Sequence, residues 1–247
     1  MIIGIDGNEA NVEKRVGIGE YAFELIREFE KLKRKNITFK IYLKSKPLPD
    51  FPKQRRDWEY VVIGPKKLWT RLRLPFELYF GKNKPDVFFS PSHYGPRYAS
   101  MPSAISIMDL SYIHYPKLFN KKDLYQLTNW TRYSVAKASK IFTISLASKN
   151  DIIKTYKVPD NKVIVTYPGV KKALSMSKDK FNFDYILFVG TLQPRKNIVR
   201  LIEAFSKLTP KHPNLKLLIV GKKGWLYEDI LKAPQKYNVE SDVKFLD

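Results

Sequence analysis

The feature that most constrains the fold of this chain is a repeated alternation of short apolar segments with longer amphipathic ones. Residues 2–5 are apolar, residues 20–35 place apolar side chains at helical spacing, and residues 38–43 alternate as a strand does. A strand, a loop, a helix and a strand in this order predict a parallel sheet with helices packed outside it. The same alternation continues to the last residues, so we predict an α/β protein.

The rest of the chain divides in the same way. We predict further strands at residues 59–63, 86–90, 104–108, 140–144, 162–166, 185–189, 215–220 and 243–246. We predict further helices at residues 68–80, 121–138, 146–156, 198–208 and 225–237. Proline removes a backbone donor and crowds the preceding turn. We therefore expect the helix at 68–80 to be bent or broken at Pro75 and the helix at 225–237 to be broken at Pro234.

A polar segment separates two runs of this pattern. Residues 171–183 hold few apolar side chains and several lysines, which is typical of a linker. We predict an N-terminal domain over residues 1–170, a linker over 171–183 and a second domain over 184–247. Only three strands are predicted in the second domain, whereas a doubly wound sheet has six in the order 3-2-1-4-5-6. We therefore expect the order 3-2-1 there.

In that order the strand at residues 185–189 lies at an edge of the sheet. The strand is apolar and carries no charged side chain. Such an edge is prone to pair with another chain. We therefore expect a homo-oligomer, or a partner that completes the second domain.

The chain is strongly basic. It has 45 Lys and Arg against 24 Asp and Glu, a net charge of +21. Nucleic acids, anionic membranes and phosphorylated small molecules would all suit that charge, although lysine enrichment also accompanies adaptation to heat. No helix-turn-helix, zinc module or RNA-binding aromatic strand is found, so we do not expect nucleic acid as a partner.

The sequence offers little for metal or thiol chemistry. It has no cysteine, which excludes disulfides, thiolate metal sites and cysteine nucleophiles. The three histidines lack the close spacing of metal ligands. His93 follows a predicted strand end and could face a site there, but we expect a surface position for it.

Two glycine-containing loops open predicted helices. Gly17 and Gly19 follow the first strand, where glycine permits a tight turn and the helix N-terminus offers N–H groups to an anion. A loop that only requires a positive φ would have the same sequence. The second loop begins at Gly190 and holds Arg195 and Lys196, where a diphosphate could meet a helix N-terminus and two cations. A solvated basic turn is the alternative.

Six further segments, taken in order with the first glycine loop, carry a resemblance. They are Phe88-Phe89-Ser90-Pro91-Ser92, Ile107-Met108-Asp109-Leu110-Ser111-Tyr112, Phe142-Thr143-Ile144-Ser145, Tyr167-Pro168-Gly169-Val170, Leu187-Phe188-Val189-Gly190-Thr191-Leu192-Gln193-Pro194-Arg195-Lys196-Asn197 and Leu217-Leu218-Ile219-Val220-Gly221. With these segments the chain resembles glycosyltransferase family 4, the group 1 glycosyltransferases, which have the GT-B fold.

The resemblance implies a Rossmann-like parallel-sheet N-domain that binds the acceptor and an incomplete second Rossmann-like domain that binds a nucleotide sugar. It implies a retaining transfer of a sugar to a glycan or lipid-linked acceptor, with no metal or other cofactor. The donor diphosphate would be bound by Gly17, Gly19, Gly190, Arg195 and Lys196.

The chain departs from the family pattern in three places. Met108 stands where the family usually has histidine, and Leu146 stands where it often has glutamate. The paired-glutamate segment that would bind the donor sugar would lie beyond residue 247, so we expect low turnover from this chain alone. Asp109 is the candidate catalytic residue, although aspartate at such a position equally often caps a turn or helix.

Residues 66–76 mix lysine and arginine with tryptophan, leucine and phenylalanine. This mixture is typical of a segment that binds an anionic membrane interface, and an internal helix with a basic edge is the alternative. We expect a cytoplasmic protein, peripheral at the inner face of the membrane. The alternative function is a non-catalytic module, derived from a glycosyltransferase, that binds a polyanion or a membrane.

Overall fold

The computed structural model describes residues 1–32, 36–64, 67–170 and 181–246. The chain divides into two compact units, Met1–Val170 and Lys171–Asp247, which we call unit 1 and unit 2. The first ten residues of the predicted linker, 171–180, lie outside the described residues.

Unit 1 is built on a seven-stranded sheet in which every neighbouring pair of strands is parallel. Its strands are β1 (Ile2–Asp6), β2 (Thr38–Leu43), β3 (Trp58–Val62), β4 (Val87–Ser90), β5 (Ser103–Ser106), β6 (Lys140–Thr143) and β7 (Val163–Val165). Their order across the sheet is β3-β2-β1-β4-β5-β6-β7. The crossover connections between parallel strands carry the helices α1 (Ile18–Lys31), α2 (Leu74–Phe80), α3 (Ser111–His114), α4 (Lys121–Lys137) and α5 (Leu146–Tyr156).

The hydrophobic pattern explains how α1 packs. Ala22, Phe23 and Ile26 recur at helical spacing and are buried, so this stripe faces the sheet and the charged residues face water. Trp58 on β3 is fully buried in the same apolar cluster, with its ring 5.3 Å from that of Phe39. This cluster anchors the β3 side of the sheet.

Unit 2 is a smaller version of the same architecture. Its strands are β8 (Tyr185–Val189), β9 (Lys216–Val220) and β10 (Val243–Leu246), and its helices are α6 (Ile198–Ser206) and α7 (Glu228–Lys236). The strands are parallel in the order β10-β9-β8. The predicted order 3-2-1 and the predicted α/β class are therefore confirmed.

The segment before β4 changes its helical form near the predicted proline. Trp69–Arg73 is a π-helical turn, and α2 follows it from Leu74. Pro75 stands in the first turn of α2, where its missing N–H has no intrahelical role. The predicted interruption is confirmed, and Pro75 lies at the start of α2.

For α7, the predicted start at residue 225 and the predicted break at Pro234 were both wrong. The helix begins at Glu228 instead of residue 225, because Leu226 has a φ of 52°, which right-handed helical backbone cannot adopt. It also continues through Pro234 to Lys236. Pro234 lies in the last turn and is buried, so it costs one hydrogen bond near the helix end and does not break the helix.

Candidate functional site

The loops that follow β8 and β9 form one surface in unit 2. The Leu192 N–H donates to the Lys222 carbonyl at 3.0 Å, and the Gly224 N–H donates to the Leu192 carbonyl at 2.9 Å. Both loops lie at the carboxyl ends of parallel strands, which is where open α/β sheets bind ligands. Backbone hydrogen bonds therefore hold the predicted donor loop in place.

Gly221 permits the close approach of these two loops. A Cβ atom on this residue would lie 2.1 Å from the Gly190 carbonyl oxygen and 2.6 Å from its carbon. Its backbone φ of 147° is also one that residues with a side chain rarely adopt. The contact is between backbone atoms, so no side-chain movement can relieve it.

Arg195 and Lys196 are both exposed and belong to the 3₁₀ turn Pro194–Lys196. Asn197 follows in the left-handed region and begins α6, whose N-terminus has no side-chain cap. Within the described residues, neither cation has an ion-pair partner. Uncapped N–H groups and two cations make this the kind of place where anions bind.

The loop after β9 adds charge of the same sign. Lys222 and Lys223 are exposed, and the bridge between Leu192 and Lys223 sets them beside the first loop. Gly190, Arg195 and Lys196 therefore belong to a basic surface that extends over both loops.

Gln193 is a feature of this loop that the sequence reasoning missed. Its side chain is only 3% exposed, and its Oε1 atom has no hydrogen-bond partner in the described part of the chain. A buried polar atom without a partner costs about 1–3 kcal/mol and is uncommon in native proteins. Its place directly before Pro194 and the two cations was visible in the sequence, but its burial was not.

Gly17 and Gly19 of the first loop are glycines for different structural reasons. Gly17 has a φ of 52° and begins α1, and no atom lies within 4 Å of where its Cβ would be. Gly19 is buried, and a Cβ there would lie 2.9 Å from the Glu9 carbonyl oxygen. Gly17 thus fits a loop that needs a positive φ, whereas Gly19 is needed for packing.

Asp109 lies after β5 and stabilises a turn. Its Oδ1 atom accepts hydrogen bonds from the Ser111 N–H at 2.9 Å and from the Ser111 hydroxyl at 2.6 Å. This is the capping role that the sequence left open for Asp109 beside the catalytic one.

His93 lies next to Asp109 in the structure, although the two residues are far apart in the chain. Its Nε2 atom is 3.3 Å from the Asp109 carbonyl oxygen, and its ring packs edge-on against Tyr112 at 6.1 Å. Burial lowers the pKa of His93. The expected surface position is therefore wrong, and the pairing arises because β4 and β5 are adjacent, so that the loops after them meet.

Two carboxylates lie near the end of β1. The Asp6 Oδ1 atom accepts from the Asn8 N–H at 3.0 Å and from the Asn8 side-chain amide at 2.6 Å. Burial raises the pKa of Asp6, and burial together with the nearby Asp6 charge raises the pKa of Glu9. Perturbed carboxyl groups are enriched at functional sites, and Glu9 also contacts the glycine loop through its backbone.

Within residues 1–32, 36–64, 67–170 and 181–246, no group of three His, Asp or Glu side chains could hold a metal ion. In the same residues no helix has the length and apolar character needed to cross a bilayer.

Comparison with known proteins finds similarity to glycosyltransferases. Residues 173–247 match the family model described as glycosyl transferases group 1. The chain is 33% identical over 100 residues to O-antigen chain mannosyltransferase RfbU of Salmonella typhimurium, covering 40% of this chain and 27% of that protein. It is 22% identical over 173 residues to O-antigen chain mannosyltransferase B of Escherichia coli, covering 65% of this chain and 45% of that protein. The chain thus spans less than half the length of these relatives.

Solved structures show the same architecture. Anabaena HepE, in complex with UDP and glucose, matches 99% of this chain and 68% of its own with a TM-score of 0.65 and 16% identity. The lipopolysaccharide outer core galactosyltransferase WaaB, in its apo form, matches 99% of this chain and 67% of its own with a TM-score of 0.58 and 15% identity. The fold is therefore of the GT-B class. Within unit 2, residues 173–247 match the group 1 glycosyltransferase family, and the predicted resemblance is confirmed.

Proposed function

We propose that this chain acts in a retaining transfer of a sugar from a nucleotide-sugar donor to a glycan or lipid-linked acceptor, with the donor diphosphate bound by unit 2. The observation that carries the proposal is the pair Arg195 and Lys196, exposed at the uncapped N-terminus of α6. The mannosyltransferase relatives and the UDP-bound neighbour support a nucleotide sugar as the donor.

Each residue has a role in this proposal. The two cations would neutralise the diphosphate, and they would stabilise the charge that develops on it as the sugar departs. Gly190 would let the backbone approach the phosphates. The unpaired Gln193 Oε1 atom would accept a hydrogen bond from the bound donor. In unit 1, Gly17 and Gly19 would shape the glycine loop and Asp109 would act near the acceptor. No metal or cofactor enters this scheme.

A charge-removing double variant tests the donor site. We expect Arg195→Ala combined with Lys196→Ala to weaken UDP binding at least about tenfold, because each lost charge-assisted hydrogen bond is worth about 1.5–3 kcal/mol and 1.4 kcal/mol is tenfold. Isothermal titration calorimetry with UDP measures the change.

The matched control is Lys211→Ala combined with Lys232→Ala. Both lysines are exposed in unit 2 and lie outside the two loops, so this variant removes the same charge elsewhere. If the two double variants bound UDP with equal affinity, Arg195 and Lys196 would have no specific role in binding UDP. The donor-site assignment would then fail.

We also propose that the chain self-associates along β8. This strand pairs only with β9 among the described strands. On the face away from the core its side chains are Tyr185, Leu187 and Val189, which are 45%, 52% and 70% exposed. An apolar strand with an unpaired edge is a template for pairing with a second copy.

Leu187→Lys tests this contact, because a charge in the middle of an edge strand opposes pairing. We expect the wild-type mass from light scattering to rise with concentration and the variant to remain monomeric. A wild-type chain that stays monomeric at every concentration would contradict the proposal.

An exposed apolar ridge in unit 1 supports the proposed peripheral contact with an anionic membrane. Leu72, Phe76 and Phe80 follow one another at helical spacing and are 59%, 63% and 72% exposed. Arg73, also exposed, lies beside them. Exposed apolar side chains next to cations suit the interface of an anionic bilayer, and the vesicle measurements described below test this contact.

A further inference from the structure

A cleft of about 210 Å³ opens in unit 1. Three segments form its walls: the π-helical turn Trp69–Arg73, the connection between β4 and β5, and α4. The Arg97 N–H donates to the Thr70 carbonyl at 3.2 Å, and the Gly95 N–H donates to the Ser134 hydroxyl at 3.0 Å. Since hydrogen bonds join the walls, the cleft is preformed.

Two arginines lie face-on against aromatic rings of this cleft. The Arg71 guanidinium carbon is 4.5 Å from the centre of the Trp130 ring, and that of Arg97 is 5.4 Å from the centre of the Tyr133 ring. Stacking holds a guanidinium by its face and leaves the N–H groups at its edge to bind an anion. Among the described lining residues there is no carboxylate to neutralise the arginines.

Trp130, which lines the cleft, carries a donor that has no acceptor among the described residues. The Trp130 indole Nε1 atom is buried and has no hydrogen-bond partner in the part of the chain that the structure describes. Tyr94 packs edge-on against the same ring at 5.6 Å. Buried N–H groups are almost always paired in native proteins, so this one indicates that a bound acceptor atom belongs here.

The cleft adjoins the exposed ridge of Leu72, Phe76 and Phe80. Arg71 lines the cleft, and Leu72 follows it directly in the same helical turn. Burial raises the pKa of Tyr133, Tyr98 and Tyr79 add to this effect, and Arg97 opposes it. Tyr79 belongs to α2, and its ring lies 6.2 Å from that of Phe80 on the ridge.

We propose that this cleft binds a phosphate ester, with the phosphate between Arg71 and Arg97 and the Trp130 N–H as a further donor. Arginine matches the geometry of phosphate oxygens. The volume is below the roughly 300–1,000 Å³ of sites that enclose drug-sized ligands, so the cleft takes one phosphate and the group next to it. That ester comes either from a soluble phosphorylated compound or from a lipid headgroup whose chains lie on the ridge.

The proposed phosphate-ester site belongs to unit 1 and the proposed donor site to unit 2, and the experiment tests them with different probes. The probes are glycerol 3-phosphate, measured by calorimetry, and phosphatidylcholine vesicles with and without phosphatidylglycerol, measured by co-sedimentation. We expect Arg71→Gln and Arg97→Gln each to weaken binding by about tenfold, the effect of losing one charge-assisted bond. The double variant at Lys211 and Lys232, which lie outside both sites, should bind both probes as the wild type does.

Arg73→Gln is the matched control. Arg73 is exposed on the same helical turn, beside the ridge, but does not line the cleft, so this variant measures what the loss of one nearby charge does by itself. Binding of glycerol 3-phosphate that depends on Arg71 and Arg97 supports a soluble ester. Binding of anionic vesicles alone, lost also in Phe76→Ser, supports a lipid headgroup.

Trp130→Phe separates binding from folding. Removing an unpaired buried donor should leave the melting temperature unchanged or higher, whereas it should weaken binding of the probe that the wild type prefers. Cleft variants that bind both probes as Arg73→Gln does would overturn the proposal. So would a wild-type chain that binds neither probe.

Discussion

Gly221→Ala is expected to destabilise unit 2 by roughly 2–6 kcal/mol, combining about 1–3 kcal/mol of backbone strain with about 1–3 kcal/mol of overpacking. The added methyl group would lie 2.1 Å from the Gly190 carbonyl oxygen, at a φ of 147°. Relief would require β8 and β9 to separate at their carboxyl ends, where the Gly190 N–H donates to the Val220 carbonyl at 2.8 Å.

Amide hydrogen exchange over β9 measures this effect locally. We expect faster exchange at Leu217–Val220 and weaker UDP binding, because the same contact positions the loop with Arg195 and Lys196. Gly169→Ala is the control, since no atom lies within 4 Å of its Cβ position, and it should change stability by less than about 0.5 kcal/mol. Equal exchange in the two variants would disprove the backbone contact.

Trp58→Ala is expected to cost unit 1 about 3–5 kcal/mol, the usual range for removing a buried aromatic side chain. The ring is fully buried beside Phe39, and its Nε1–H donates to the Tyr60 hydroxyl at 3.0 Å. Alanine would leave a cavity between α1 and the sheet and would remove that hydrogen bond.

Urea denaturation followed by circular dichroism gives the free energy of unfolding. Val62→Ala on the same strand is the control, because Val62 is 47% exposed and its loss should matter little. A cost below about 1 kcal/mol for Trp58→Ala would mean that the cluster around it can repack.

The sequence predicted the elements of this fold well because the physical signals were local. Apolar runs bounded by glycine, proline or charge placed β2, β8, β10 and α5 at their observed residues. The errors arose where backbone angles decided the outcome. The sequence around Leu226 does not indicate that its φ is 52°, so the start of α7 was predicted too early.

The candidate site was less predictable than the fold. Gly190, Arg195 and Lys196 could be proposed from the sequence because they are close together in the chain. The contact between His93 and Asp109 joins residues from two strands, and the burial of Gln193 depends on packing. Such features require knowledge of which strands are neighbours. The cleft between Arg71 and Arg97 joins three separate segments for the same reason.

Each apolar cluster of the described chain draws all of its residues from a single unit. A large-to-small substitution in one of these clusters therefore opens its cavity among apolar residues of a single unit.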